Sequence, residues 1–130
     1  MMLQFHADAV SAEYNENGVL VNVFADLQER IEVNHYFLIQ CTNEDDRQNI
    51  ASNIDTYYIE RDDQGYSTYG GIKKLSLSPH QINIELDELG QKKLEVSRIT
   101  IGFALTNEKY IYLKQQLKKI FDEKRLSVEA

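Results

Sequence analysis

Through most of this chain apolar side chains recur at every second position, which is the spacing of a β-strand with one buried face. Ile82, Ile84 and Leu86 alternate with Asn83, Glu85 and Asp87. Leu3 and Phe5 open a first strand that continues less clearly towards Tyr14. After the turn signal Asn15-Glu16-Asn17-Gly18, Val19, Val21 and Val23 share one face of a returning strand, which predicts a hairpin. The nearly continuous apolar run from Tyr36 to Cys41 predicts a strand buried on both faces.

Residues 43–53 are too polar for a core and read as a loop or one short helix. The β-branched and aromatic stretch from Thr56 to Arg61 is strand-forming. Asp62-Asp63-Gln64-Gly65 is a turn signal, and Tyr66 to Tyr69 returns antiparallel to it. The pair Gly70-Gly71 then points to a bulge or a close backbone approach. Ser78-Pro79-His80-Gln81 makes another turn, and Gly90 is expected to end the strand that follows it. Leu94 and Val96 occupy one parity while Ile99, Ile101 and Phe103 occupy the other, which predicts a bulge or irregularity near Ser97 and Arg98.

The period changes near the end. Tyr110, Leu113, Leu117, Ile120 and Phe121 follow helical spacing, with Thr106 or Asn107 as N-cap and Lys118 and Lys119 at the negative end of the helix dipole. The expected fold is α+β: a meandering, mostly antiparallel sheet with one C-terminal amphipathic helix packed on it. No linker divides the chain, so residues 2–122 read as a single domain and 123–130 as a short polar tail.

Charge bears on partners. The 130 residues carry 14 Lys and Arg against 21 Asp and Glu, a net of −7. Residues 1–65 hold 13 acids and 3 bases, so −10, and residues 66–130 hold 8 acids and 11 bases, so +3. This balance disfavours nucleic acid and anionic membrane as partners and suits a basic protein. Cys41 is the one cysteine, so no intrachain disulfide forms. The N-terminus has neither a basic n-region nor a long apolar segment, and no run approaches the roughly 20 apolar residues of a membrane helix. The expected compartment is the cytoplasm.

Chemistry-bearing constellations are sparse. His6, His35 and His80 are scattered, and no Cys/His spacing suits zinc. Asp62 to Gly65 lacks the alternating oxygen ligands of a calcium loop, and Gly70-Gly71 lacks the surroundings of a phosphate loop. Glu60 and Asp62 could pair for acid–base work, but no nucleophile or oxyanion donor accompanies them. The reading is therefore no enzyme and no cofactor. Tyrosine is the residue type that stands out: four of eight fall between positions 57 and 69, interleaved with Glu60, Asp62 and Asp63. Tyrosine combines a large apolar body with a polar tip and suits binding hot spots. Tyr57 and Tyr58 must face opposite sides of their strand.

The run Asp55-Thr56-Tyr57-Tyr58-Ile59-Glu60, followed by Asp63-Gln64-Gly65 and Tyr69-Gly70-Gly71-Ile72, resembles the immunity protein 10 family of bacterial polymorphic-toxin systems. Tyr36 to Gln40, Ile82 to Leu86 and Leu117 to Phe121 extend the resemblance to about residues 3–121. Residues 41–54 depart from the more acidic, glycine-containing version of that region. The resemblance implies an inhibitor that binds and neutralises a cognate toxin domain in the producing cell, without a cofactor. Together with the acidic, tyrosine-rich hairpin it nominates Glu60, Asp62, Asp63, Tyr66 and Tyr69 as the partner-binding surface, and a basic toxin domain as the partner. The alternative is a non-catalytic structural or adaptor domain that forms a homodimer through an exposed sheet edge.

Overall fold

The computed structural model describes residues 2–14, 20–26, 35–41 and 57–128. Ten strands and two helices occur among them: β1 (Met2–Ala7), β2 (Ala9–Tyr14), β3 (Leu20–Ala25), β4 (Tyr36–Cys41), β5 (Tyr57–Arg61), β6 (Asp63–Tyr69), β7 (Ile72–Ser78), β8 (Gln81–Leu86), α1 (Glu88–Leu94), β9 (Arg98–Phe103), α2 (Asn107–Ile120) and β10 (Leu126–Val128). The class is α+β. The turn expected at residues 15–18 and the loop or helix expected at 43–53 lie outside the described residues.

The strands form two five-stranded sheets where one was expected. β2-β3-β4-β5-β6 is an antiparallel meander in chain order. The other sheet has the order β1-β9-β8-β7-β10, with β1 parallel to β9 and β10 parallel to β7. Alternation specifies strands and their faces but not which strands pair, so the sequence pattern was blind to this division.

Each sheet turns one face into a shared core. Leu3 and Phe5 of β1, Ile82 and Ile84 of β8, and Ile99 and Ile101 of β9 enter it from one side. Phe24, Phe37, Ile39, Tyr57 and Ile59 enter from the other, and Phe24 stacks on Phe103 with ring centroids 6.2 Å apart. Burial of each large apolar side chain contributes about 1.5–3 kcal/mol. In β3 the buried parity is Leu20, Asn22 and Phe24, while Val21 and Val23 sit half-exposed on the opposite face. β4 alternates as well: Phe37, Ile39 and Cys41 are buried, and Tyr36, Leu38 and Gln40 are half-exposed, so it is covered on one face rather than two.

Among the described residues there are two helices, where one C-terminal helix was expected. α2 is capped by Thr106, whose side chain accepts from the Lys109 amide, and buries Tyr110, Leu113, Gln116 and Leu117. It is not the last element, because β10 follows and buries Leu126 within the stretch expected to be a polar tail. α1 occupies the stretch read as the end of a strand. Asp87 caps it by accepting from the Gly90 amide at 2.9 Å, and Glu95 ends it in the left-handed conformation. The parity switch before β9 is thus a helix-to-strand change, not a bulge.

Gly70 and Gly71 adopt φ of 76° and 98°, open to glycine at no steric cost. A Cβ on Gly71 would stand 3.0 Å from the Cα of Gly90, and one on Gly90 would run into the Gly71 carbonyl oxygen. That carbonyl accepts from the Asp87 amide at 2.9 Å. The backbone of α1 is therefore seated directly on the β6–β7 connection. Helix propensity alone would have Gly90→Ala stabilise the protein by about 1 kcal/mol. The contact reverses that sign, and we expect Gly90→Ala to destabilise by at least about 2 kcal/mol in urea denaturation.

Candidate functional site

Both helices direct their buried side chains into the core, so among the described residues the second face of the β2–β6 sheet carries only alternate strand residues. The register brings together Val21 and Val23 of β3, Tyr36 and Leu38 of β4, Tyr58 and Glu60 of β5, and Ser67 and Tyr69 of β6. Glu60 is opposite Leu38 on one side and Ser67 on the other, and Tyr58 is opposite Tyr69. Period two and strand register alone assemble an aromatic patch around one carboxylate.

The Glu60 carboxylate is held from two directions. The Tyr58 hydroxyl donates to Oε1 at 2.6 Å, and the Tyr36 hydroxyl donates to Oε2. The Tyr58 and Tyr69 rings lie 5.3 Å apart at 60°, and Tyr69 is 69% exposed. Burial, then the hydrogen bond to Glu60, raises the Tyr36 phenol well above its usual range and the Tyr58 phenol in the same direction. Both therefore stay neutral donors at physiological pH. Among the described residues Glu60 has no cationic partner within ion-pair distance.

The other nominated residues separate from this patch. Asp62 sits in the left-handed region at φ 62° and is tied down internally. Its Oδ1 accepts from the Tyr36 amide at 2.9 Å, and its Oδ2 faces His35 Nδ1 at 2.9 Å and Arg61 at 3.0 Å. Its side chain is only 11% exposed, so it shapes the start of the hairpin. Asp63 is exposed and accepts from the Gly65 amide at 2.6 Å, closing the turn. Tyr66 belongs to the opposite parity from Tyr69. Its ring lies 4.3 Å from the Arg61 guanidinium, whose Nε donates to the Leu94 carbonyl at 2.7 Å at the end of α1. Of the five nominated residues, Glu60 and Tyr69 lie on one face of the hairpin, Asp63 is exposed at its tip, and Asp62 and Tyr66 both contact Arg61 on the other side.

Tyr36 and Tyr58 complete the cluster and were not nominated. Tyr58 was legible, because it precedes Glu60 by two positions on one strand. Tyr36 was not, because its place depends on the register of β4 against β5. Tyr57 and Tyr58 do face opposite ways. Tyr57 is buried, accepts from the Ile72 amide at 2.9 Å and packs edge-on against Phe121.

Elsewhere, Val10, Ala12, Leu105 and Leu113 line a mainly apolar groove between β2 and α2. Among the described residues no group of three or more His, Cys, Asp or Glu side chains is placed to hold a metal ion. Nor is any described helix long and apolar enough to cross a membrane.

Comparison with known protein families matches residues 6–111 to the model for Immunity protein 10. No curated protein and no solved structure gives a match. The match covers most of the chain, which therefore belongs to the immunity protein 10 family.

Two outcomes follow from the site geometry. Asp62→Ala removes the acceptor of the Tyr36 amide and the carboxylate beside Arg61 and should cost about 2–3 kcal/mol in urea denaturation, whereas Asp63→Lys should cost under about 1 kcal/mol. Raised phenol values also make stability pH-dependent: the contribution is complete below the unfolded phenol value near 10.0 and is lost as pH climbs through the higher folded values. The drop in urea midpoint between about pH 9 and about pH 11 should accordingly be smaller in Tyr58→Phe than in the wild type; parallel curves would remove Tyr58 from this account.

Proposed function

We propose that this member of the immunity protein 10 family binds a cognate toxin domain through the open face of its β2–β6 sheet and neutralises it in the cytoplasm of the producing cell. The observation that carries the reading is the Tyr36–Tyr58–Glu60–Tyr69 cluster: a preorganised, partly exposed aromatic patch around a carboxylate, on rigid strands, in a family of immunity proteins. Aromatic anchors of this kind dominate binding energy at protein interfaces because they bury large areas and have few rotors to freeze. The inhibitor performs no chemistry and needs no cofactor in this reading. It acts as a folded domain of about residues 2–122 together with β10.

The chain's net charge of −7 favours a basic toxin domain, since complementary fields accelerate encounter. Asp63, at the exposed hairpin tip, adds to that field, and Asp62 supports the hairpin from behind. Toxin domains that act on nucleic acid are basic for the same reason that DNA-binding proteins are.

The test is co-expression with the toxin domain encoded beside this gene, scored by survival of a susceptible host and by recovery of a stoichiometric complex. Wild type should rescue. Tyr69→Ala together with Glu60→Lys should weaken the complex by at least about 100-fold, the loss expected when an interface hot spot is removed. Absence of both rescue and complex, with both proteins folded, would overturn the reading.

A further inference from the structure

The β5–β6 hairpin carries two clusters built from the same kinds of group, and only one of them is complete. On its core side, the Arg61 guanidinium lies 4.3 Å from the Tyr66 ring and 3.0 Å from the Asp62 carboxylate. There a flat cation is held between an aromatic face and an acid. On its open side, Glu60 is held by Tyr36 and Tyr58, Tyr69 packs on Tyr58, and the cation is missing among the described residues.

We propose that the open-side cluster is a receptor for a guanidinium group, and that its occupant is an arginine side chain of the toxin domain. The choice of partner rests on the proposed function; the ligand chemistry rests on the cluster itself. Each Glu60 oxygen already accepts one phenolic proton, which orients the carboxylate and leaves acceptor capacity on both oxygens. Two hydroxyl donors do not cancel a full negative charge. A planar fork of two N–H donors meets the remaining acceptors side by side, while an ammonium offers only a point charge. The Tyr58 ring, whose hydroxyl bonds the carboxylate, and the Tyr69 ring packed on it at 60° provide π-faces for the same ion. Because the two phenols already donate to the carboxylate, the site needs no rearrangement before it binds.

The guanidinium can be tested without a toxin. The probe is n-butylguanidinium chloride titrated into the full chain carrying 13C-labelled tyrosine rings, with N-butylurea as a planar neutral control and n-butylammonium as a point-charge control. Saturable shifts are expected at Tyr36, Tyr58 and Tyr69 with a dissociation constant on the order of tens of millimolar, while Tyr66 on the other face stays unmoved. Glu60→Gln, nearly isosteric, should abolish saturation while its Tyr57 and Tyr66 signals report an intact fold. Tyr69→Ala, at an exposed position, should weaken binding several-fold. Equal response to N-butylurea or n-butylammonium, shifts unchanged in Glu60→Gln, or no saturable shift would each overturn the proposal.

The two readings fail separately. Host rescue and a complex unaffected by Glu60→Gln would remove the receptor and leave the inhibitor standing. Specific butylguanidinium binding without rescue would do the reverse.

Discussion

Two five-stranded sheets share one core, and each can give that core only one of its faces. In the β2–β6 meander Phe24, Phe37, Ile39, Tyr57 and Ile59 are committed inward. Strand geometry then obliges their neighbours Tyr36, Leu38, Tyr58 and Glu60 to point the other way. A slip of one residue between β4 and β5 would bury Glu60 and expose Ile59, at a cost far above any interface gain. The open-face cluster is thus held in place by the hydrophobic packing behind it.

The same hairpin is braced from the core side. Arg61 donates to the last turn of α1 through the Leu94 carbonyl and pairs with Asp62, while Gly71 and Gly90 let that helix approach within backbone contact. The register shift between Glu60 and Arg61 lets Asp62 enter the left-handed region and turn its carboxylate back to the Tyr36 amide. Tyr36 therefore receives its backbone position from Asp62 and offers its hydroxyl to Glu60. A residue that looked like surface charge joins two strands, and the aromatic cluster depends on that join.

How much of this was legible depends on whether the signal is local. Strands with one apolar parity, such as β8, could be read directly, and so could the helical stripe of α2. β3 misled because Val21 and Val23 are apolar yet face outward, while Asn22 is buried with no hydrogen-bond partner for its side-chain amide among the described residues. β4 misled because an outward row of Tyr36 and Leu38 reads as a second buried face. α1 spans 7 residues with two of them buried, too few to make a stripe, and its Gly90 mimics a stop signal. The division into two sheets and the convergence of Tyr36 on Glu60 depend on long-range pairing, which no local pattern encodes. The family resemblance, carried by short tyrosine and glycine motifs, agrees with the match over residues 6–111.

The acidic balance needs the structure to be interpreted. Counting charges treats every carboxylate as available to a partner, yet several are committed. Asp62 is tied to His35 and Arg61, Asp87 caps α1, and Glu85 pairs with Arg98 at 2.5 Å on the other sheet. Their charges still contribute to the long-range field that draws a basic partner, because that field sums over the whole surface and is screened beyond about 8 Å at physiological salt. Short-range selection is a different matter, since it requires a carboxylate with acceptor capacity left and a fixed direction. Glu60 meets both conditions: phenols orient it without neutralising it, and it stands between the half-exposed rings of Tyr36 and Tyr58. Encounter and selection are therefore served by different acids on one small domain, with the many setting the rate of approach and the one setting what fits.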